Sequence, residues 1–214
     1  MNAGILNITN GDCFNSYFVS RFGGQAVPFC EAMMDGDTVQ EIYSQAFIEL
    51  RAGELNVSAA QYRAKMQAYD ALKEHDYDEI HLWFGKDTFC QVNLLTLLAY
   101  LEQIGFDGKV WLNFIDDETF DVIESDIAVK LGAYKKLYAE VLIEKRNPCE
   151  AGVLNPEAID GYFDYHSDDG WLARLVKAHA GEDKMSLVRL LIEHSKAYGL
   201  SDVQAEKLIQ THLK

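Results

Sequence analysis

Hydrophobic and polar positions alternate with turn residues in a way that spells out short strands and helices. Ile5-Leu6-Asn7-Ile8 is an apolar run stopped by Asn10-Gly11-Asp12, the pattern of a strand and turn. A short helix follows around Ser16–Arg21 and ends at Gly23-Gly24. Ala26–Cys30 reads as a second strand, and Pro28, which donates no hydrogen bond, places it at or near a sheet edge. Thr38 and Glu41 have capping-box spacing, which predicts a helix from there to about Ala52, stopped by Gly53. Ser58 and Gln61 repeat the spacing, and Tyr62, Met66 and Tyr69 behind them share one helical face as core.

In Glu79–Phe84, Ile80, Leu82 and Phe84 alternate with His81 and Trp83, a third strand. Thr88 and Gln91 form another capping-box pair, and the helix Phe89–Ile104 is apolar nearly all round, so it is buried on more than one face. Lys109–Ile115 is a fourth strand with the acidic exit Asp116-Asp117-Glu118, read as a solvated loop. Then the period changes. Ile127, Leu131, Tyr134, Tyr138 and Val141 repeat at helical spacing until Asn147-Pro148, and helices follow over Pro156–Phe163, Trp171–His179, Ser186–Ala197 and Ser201–His212. The prediction is an α/β fold. Residues 1–120 form a three-layer Rossmann-like, mostly parallel sheet of about four strands in the order 2-1-3-4, and 121–214 an all-helical region. The boundary falls between Asp117 and Asp126.

The segment Leu82-Trp83-Phe84-Gly85-Lys86-Asp87, continued by Gln91, Leu94 and Leu95, resembles a bacterial family of unknown function, number eighteen thirty-five. In that family a strand ends in Leu-Trp-Phe, followed by an Asp, a Gln and a Leu-rich helix. Its first strand ends in Gly-Asp-Ser, where this chain has Gly11-Asp12-Cys13. Its Asp and Gly-Pro after the second strand are echoed loosely by Glu31 and Asp35-Gly36. The resemblance covers about the first 115 residues, with a weaker match at Gly199-Leu200-Ser201. It implies a fold and a site location, and no activity.

Charge narrows the partners. The 214 residues carry 19 basic and 34 acidic side chains, net −15. Positions 1–170 hold 12 against 29, and positions 171–214 hold 7 against 5. A body this acidic repels nucleic-acid phosphates and anionic membrane surfaces, so neither is an expected partner. No apolar run reaches transmembrane length, and Met-Asn-Ala-Gly-Ile-Leu lacks the features of a signal peptide, which predicts a cytoplasmic protein. The cysteines Cys13, Cys30, Cys90 and Cys149 have no paired spacing and read as free thiols. His75, His166, His179, His194 and His212 likewise lack metal-binding spacing, so no metal site is assigned from them.

In open parallel sheets, ligands bind beyond the carboxyl ends of the strands where the strand order reverses. That rule collects Asp12, Cys13 and Asn15 after strand one, Cys30 and Glu31 after strand two, Asp87, Cys90 and Gln91 after strand three, and Asp116 and Asp117 after strand four. With order 2-1-3-4, Asp12 and Asp87 are expected to face each other. Such a pair either holds Mg²⁺ beside a phosphate or shares a proton as acid and base. Asp12 and Asp87 also fit turn or N-cap roles, and Gln91 fits the capping box. The expected ligand set is Asp12, Cys13, Asn15, Glu31, Asp87 and Gln91, for a small anionic or phosphorylated molecule with Mg²⁺ as the candidate cofactor. No Gly-rich dinucleotide or P-loop motif is present. The competing reading is a regulatory or protein-interaction module: Ser186–Ala197, Tyr198-Gly199-Leu200 and a helix capped by Ser201 and Gln204 outline a helix–turn–helix. Its last helix, with Asp202, Gln204, Glu206, Lys207 and Gln210, is a poor phosphate binder.

Overall fold

The computed structural model describes residues 4–74 and 77–213, with the side chain of Glu74 also undescribed. His75 and the first three residues, used above, lie outside this range. The chain builds a mixed α/β fold on a five-stranded sheet in the order β2-β1-β3-β4-β5. The strands are β1 (Ile5–Asn10), β2 (Ala26–Phe29), β3 (Glu79–Phe84), β4 (Lys109–Ile115) and β5 (Val122–Val129). The first four are parallel, and β5 runs antiparallel to β4. Pro28 sits on the edge strand β2, where a missing donor is tolerated.

Two corrections concern the second half of the chain. The sheet has five strands rather than four, and the region after residue 120 is not all-helical, because it opens with β5. Ile127, placed above on a helix, pairs with Leu112. A helical period drawn through Ile127 was coincidental: only Tyr134 and Tyr138 lie on α6 (Tyr134–Tyr138), and Val141 follows in a π-helical turn, Ala139–Ile143. The remaining helices are α7 (Pro156–Tyr165), α8 (Trp171–Ala178), α9 (Lys184–His194) and α10 (Asp202–His212), with a 3₁₀ turn at Lys196–Tyr198.

The first half holds α1 (Asp12–Phe22), α2 (Gln45–Glu54), α3 (Ala59–Lys65), α4 (Gln67–Glu74) and α5 (Thr88–Gln103). The expected helix start at Thr38 is wrong. Ser44 is the cap, accepting from Phe47 N, and Tyr43 has φ 58°, which no helix continues through. Tertiary bonds claim the preceding segment instead. Thr38 Oγ1 meets the Tyr138 hydroxyl, and Ile42 exchanges two 2.8 Å hydrogen bonds with the Gln103 side chain. The Ser58–Gln61 and Ser201–Gln204 capping boxes are both formed.

The alternation in the strands separates two faces. Leu6, Ile8, Ile80, Leu82, Phe84, Val110, Leu112 and Phe114 join one continuous core that reaches α5 and extends to Leu172, Leu191 and Leu208 of the C-terminal helices. On the opposite face, Trp83 and Ile115 pack under α1 with Phe14, Phe18 and Phe120. Thirteen of the sixteen α5 residues are buried, because α5 touches β3, α6 and α7. Burying each large apolar side chain contributes about 1.5–3 kcal/mol, so α5 is the central beam. Its N-terminus is held at the carboxyl edge of the sheet.

Candidate functional site

β3 and β4 pair in parallel with Phe84 opposite Phe114. Asp87 and Asp117 each lie three positions beyond that pair, so the exits of two neighbouring strands bring two carboxyls to one level. Asp87 is the N-cap of α5, accepting from Cys90 N at 2.9 Å. Thr88, assigned the cap from sequence, instead donates to Ala197 O. Asp117 sits in the turn after β4, an exposed residue whose carboxyl reaches the buried Cys90 thiol. Ligand atoms of Asp87, Cys90 and Asp117 all lie within 4.8 Å of one another. Cys90 Sγ is 3.5 Å from Asp117 Oδ1 and receives Asn10 Nδ2 at 2.9 Å from the end of β1. The cluster therefore adjoins the β1/β3 gap, where strand order reverses.

Two glycines leave room for the pair. A Cβ on Gly85 would overlap the Asp117 carboxyl, and one on Gly199 would overlap that of Asp87. Gly199 also has φ 64°, which glycine adopts at little cost. Asp116 supplies the turn that aims its neighbour, accepting from the amides of Glu118 and Thr119 at 3.0 and 2.8 Å. Those amides hold its carboxyl below the usual range.

Desolvation, reinforced by the hydrogen bond and charge of Asp87, pushes the Asp117 carboxyl up to about 8. Burial and the two nearby carboxyls drive the Cys90 thiol well above its ordinary value. At neutral pH the Asp117 carboxyl accordingly keeps its proton, unless a cation takes the proton's place. Two carboxylate oxygens with a thiol at their back offer oxygen ligands to a hard divalent ion and one softer atom to a borderline one. The cluster opens on a cleft of about 680 Å³ between the sheet edge and the helices after β5. Six acidic side chains and two lysines, Lys86 and Lys196, line it.

The structure disperses the rest of the expected set. Asp12 begins α1 and its carboxylate pairs with Lys65 Nζ at 2.9 Å, which lowers its pKa. It also bonds the Cys30 thiol, which burial raises to about 12. Asp12 is not among the residues lining the cleft that contains Asp87. Cys13 is exposed, and Asn15 accepts from Thr9 Oγ1 at 3.0 Å. Glu31 is buried, ion-paired to the equally buried Arg51 at 3.0 Å and bonded by the Tyr62 hydroxyl, so its oxygens are occupied. Gln91 does not close a capping box: its Nε2 donates to Gly85 O at 2.5 Å and its Oε1 accepts from Asn155 N at 2.9 Å. It stitches the β3 exit to the start of α7 and supports the cleft wall.

Two residues that matter here were not singled out as site residues from sequence. Asn10 and Asn93 join in a polar thread: Asn93 Nδ2 donates to Asn10 Oδ1 and to Glu31 O, and its Oδ1 accepts from Met33 N. Single asparagines carry no spacing signal. Asp117 was collected at a strand exit but left out of the expected ligand set; the equal three-residue offset from Phe84 and Phe114 was the available clue. No family model, no curated protein and no solved structure matches the chain.

Proposed function

We propose that the chain binds a small phosphorylated ligand at the carboxyl edge of its sheet, through a divalent cation of the Mg²⁺ class held by Asp87 and Asp117. The carrying observation is the pair of carboxyls brought level by the β3–β4 register, beside Cys90 and facing the cleft. The excess of acids over lysines weakens the hold on a free anion, and a bound cation strengthens it. This replaces the Asp12–Asp87 pairing by Asp87–Asp117 and keeps the switch-point logic of a Rossmann-like, three-layer sheet.

A cytoplasmic protein without a nucleic-acid partner fits the same proposal. No helix among the described residues is long and apolar enough to cross a membrane. Gln204 and Lys207, two of the polar side chains that a reading helix would use, are both bound to Asp35 at 2.9 and 2.8 Å.

The test is calorimetry and thermal denaturation with MgCl₂ and MnCl₂, with and without pyrophosphate. A cation at a hundred times its Kd stabilises by about 2.7 kcal/mol. Asp87→Asn and Asp117→Asn are expected to lose that response. Wild-type protein indifferent to both ions, or variants as responsive as wild type, would sink the reading.

A further inference from the structure

We infer that the β4–β5 hairpin is a built-in competitor for anions in this cleft, with Glu118 and Glu124 occupying the two lysines, Lys196 and Lys86, that grip a phosphoryl group. The inference rests on the cleft reading above. Among the described residues, Lys196 and Lys86 are the basic side chains lining the cleft. Lys196 Nζ meets Glu118 Oε1 at 2.5 Å, and Lys86 Nζ meets Glu124 Oε2 at 3.3 Å. Both carboxylates belong to the same hairpin, Glu118 in its turn and Glu124 on β5. The lysines come from separate parts of the chain, one at the β3 exit and one in the 3₁₀ turn after α9. Glu157, on α7, lines the cleft too but makes no ion pair among the described residues.

The pairs are built to yield. In the Lys196–Glu118 pair the side chains are 68% and 67% exposed. An exposed ion pair of this kind resists displacement by at most about five-fold in affinity. Lys86 keeps its place without Glu124, because its Nζ lies 4.6 Å from the centre of the Phe114 ring, a cation–π contact. β5 is an edge strand, largely exposed, so its carboxylates can swing away without opening the core. An incoming phosphoryl group, with more charge than one carboxylate, replaces both acids and is held between the lysines and the cation. Ligands without such a group leave the pairs closed, which makes the hairpin a filter for phosphoryl groups.

The experiment titrates pyrophosphate calorimetrically, with and without Mn²⁺, into wild-type protein and five variants. Glu118→Gln and Glu124→Gln are each expected to tighten pyrophosphate by about two- to five-fold more than Glu157→Gln, which removes the same charge from the cleft without freeing a lysine. Lys196→Gln and Lys86→Gln are expected to weaken it at least as much. Equal tightening by Glu157→Gln would show a general field effect and overturn the inference. Unchanged binding in the lysine variants, or no pyrophosphate binding by any protein in either arm, would also overturn it. Failure of Mn²⁺ alone to bind removes the cation reading, while the Mn²⁺-free arm still decides the role of the hairpin.

Discussion

The carboxyls of Asp87 and Asp117 come within 4.8 Å of each other at the exits of adjacent parallel strands, with the Cys90 thiol completing the group. Like charges so close cannot both stay ionised without a counter-charge, and the first predictions follow from that conflict.

Stability should fall with rising pH because of Asp117. Its pKa goes from an ordinary 3.8 to about 8 in the folded chain through burial and the Asp87 carboxyl. Between those values the native state binds the proton more tightly than the unfolded state, so its contribution is complete below about pH 4 and lost by about pH 8. Asp117→Asn should flatten that slope and exceed wild type in melting temperature near pH 8.5. Equal slopes for the two proteins in melts from pH 4 to 9 would contradict the raised pKa of Asp117.

Cation binding should release a proton. A metal that ionises Asp117 at pH 7 displaces the proton held there. Calorimetry in two buffers of different ionisation enthalpy should give apparent enthalpies that differ for wild type and coincide for Asp117→Asn. Identical enthalpies for wild type would mean that the cation sits elsewhere.

Gly199→Ala should do more harm than its backbone alone explains. Gly105, also at positive φ (71°), has nothing within 4 Å of an added Cβ, so Gly105→Ala reports the conformational cost, about 1 kcal/mol. At Gly199 the Cβ also collides with the Asp87 carboxyl. The alanine there should cost more in urea denaturation and blunt the Mn²⁺ response, which Gly105→Ala should leave intact.

The Arg51–Glu31 pair is structural. Both side chains are fully buried, and Arg51 also donates to the carbonyls of Ala32, Asp35 and Asp37. Arg51→Met leaves Glu31 charged and unpaired, at a cost of about 3–5 kcal/mol. Adding Glu31→Gln should recover part of that loss. A double variant whose loss equals the sum of the two singles would show that the residues do not act as a pair.

Tyr69 and Tyr100 bury their hydroxyls without a hydrogen-bond partner among the described residues. Removing an unsatisfied buried hydroxyl removes a desolvation cost of about 1–3 kcal/mol. Tyr69→Phe and Tyr100→Phe should therefore leave the unfolding free energy unchanged or raise it. A clear loss in either variant would mean that a bound water satisfies the hydroxyl.

Local chemistry was legible in the sequence. Each of the four parallel strands, the buried α5, the edge position of Pro28 and the capping boxes at Ser58 and Ser201 depend on neighbours within a few residues, where periodicity and capping act. Long-range competition was not legible. Thr38 and Glu41 have the spacing of a capping box, but the Tyr138 hydroxyl and the Gln103 amide hold that segment out of a helix. Ile127 fits a helical period, yet an open edge on β4 offered it a ladder of hydrogen bonds. The same limit governs the site. Sequence placed acids at every strand exit, but which two meet depends on strand register and on where each chain turns. Asp12 enters α1 immediately and finds Lys65, whereas Asp87 and Asp117 leave paired strands at equal offsets. Register is set by how the sheet packs on its core, and only the tertiary structure contains it.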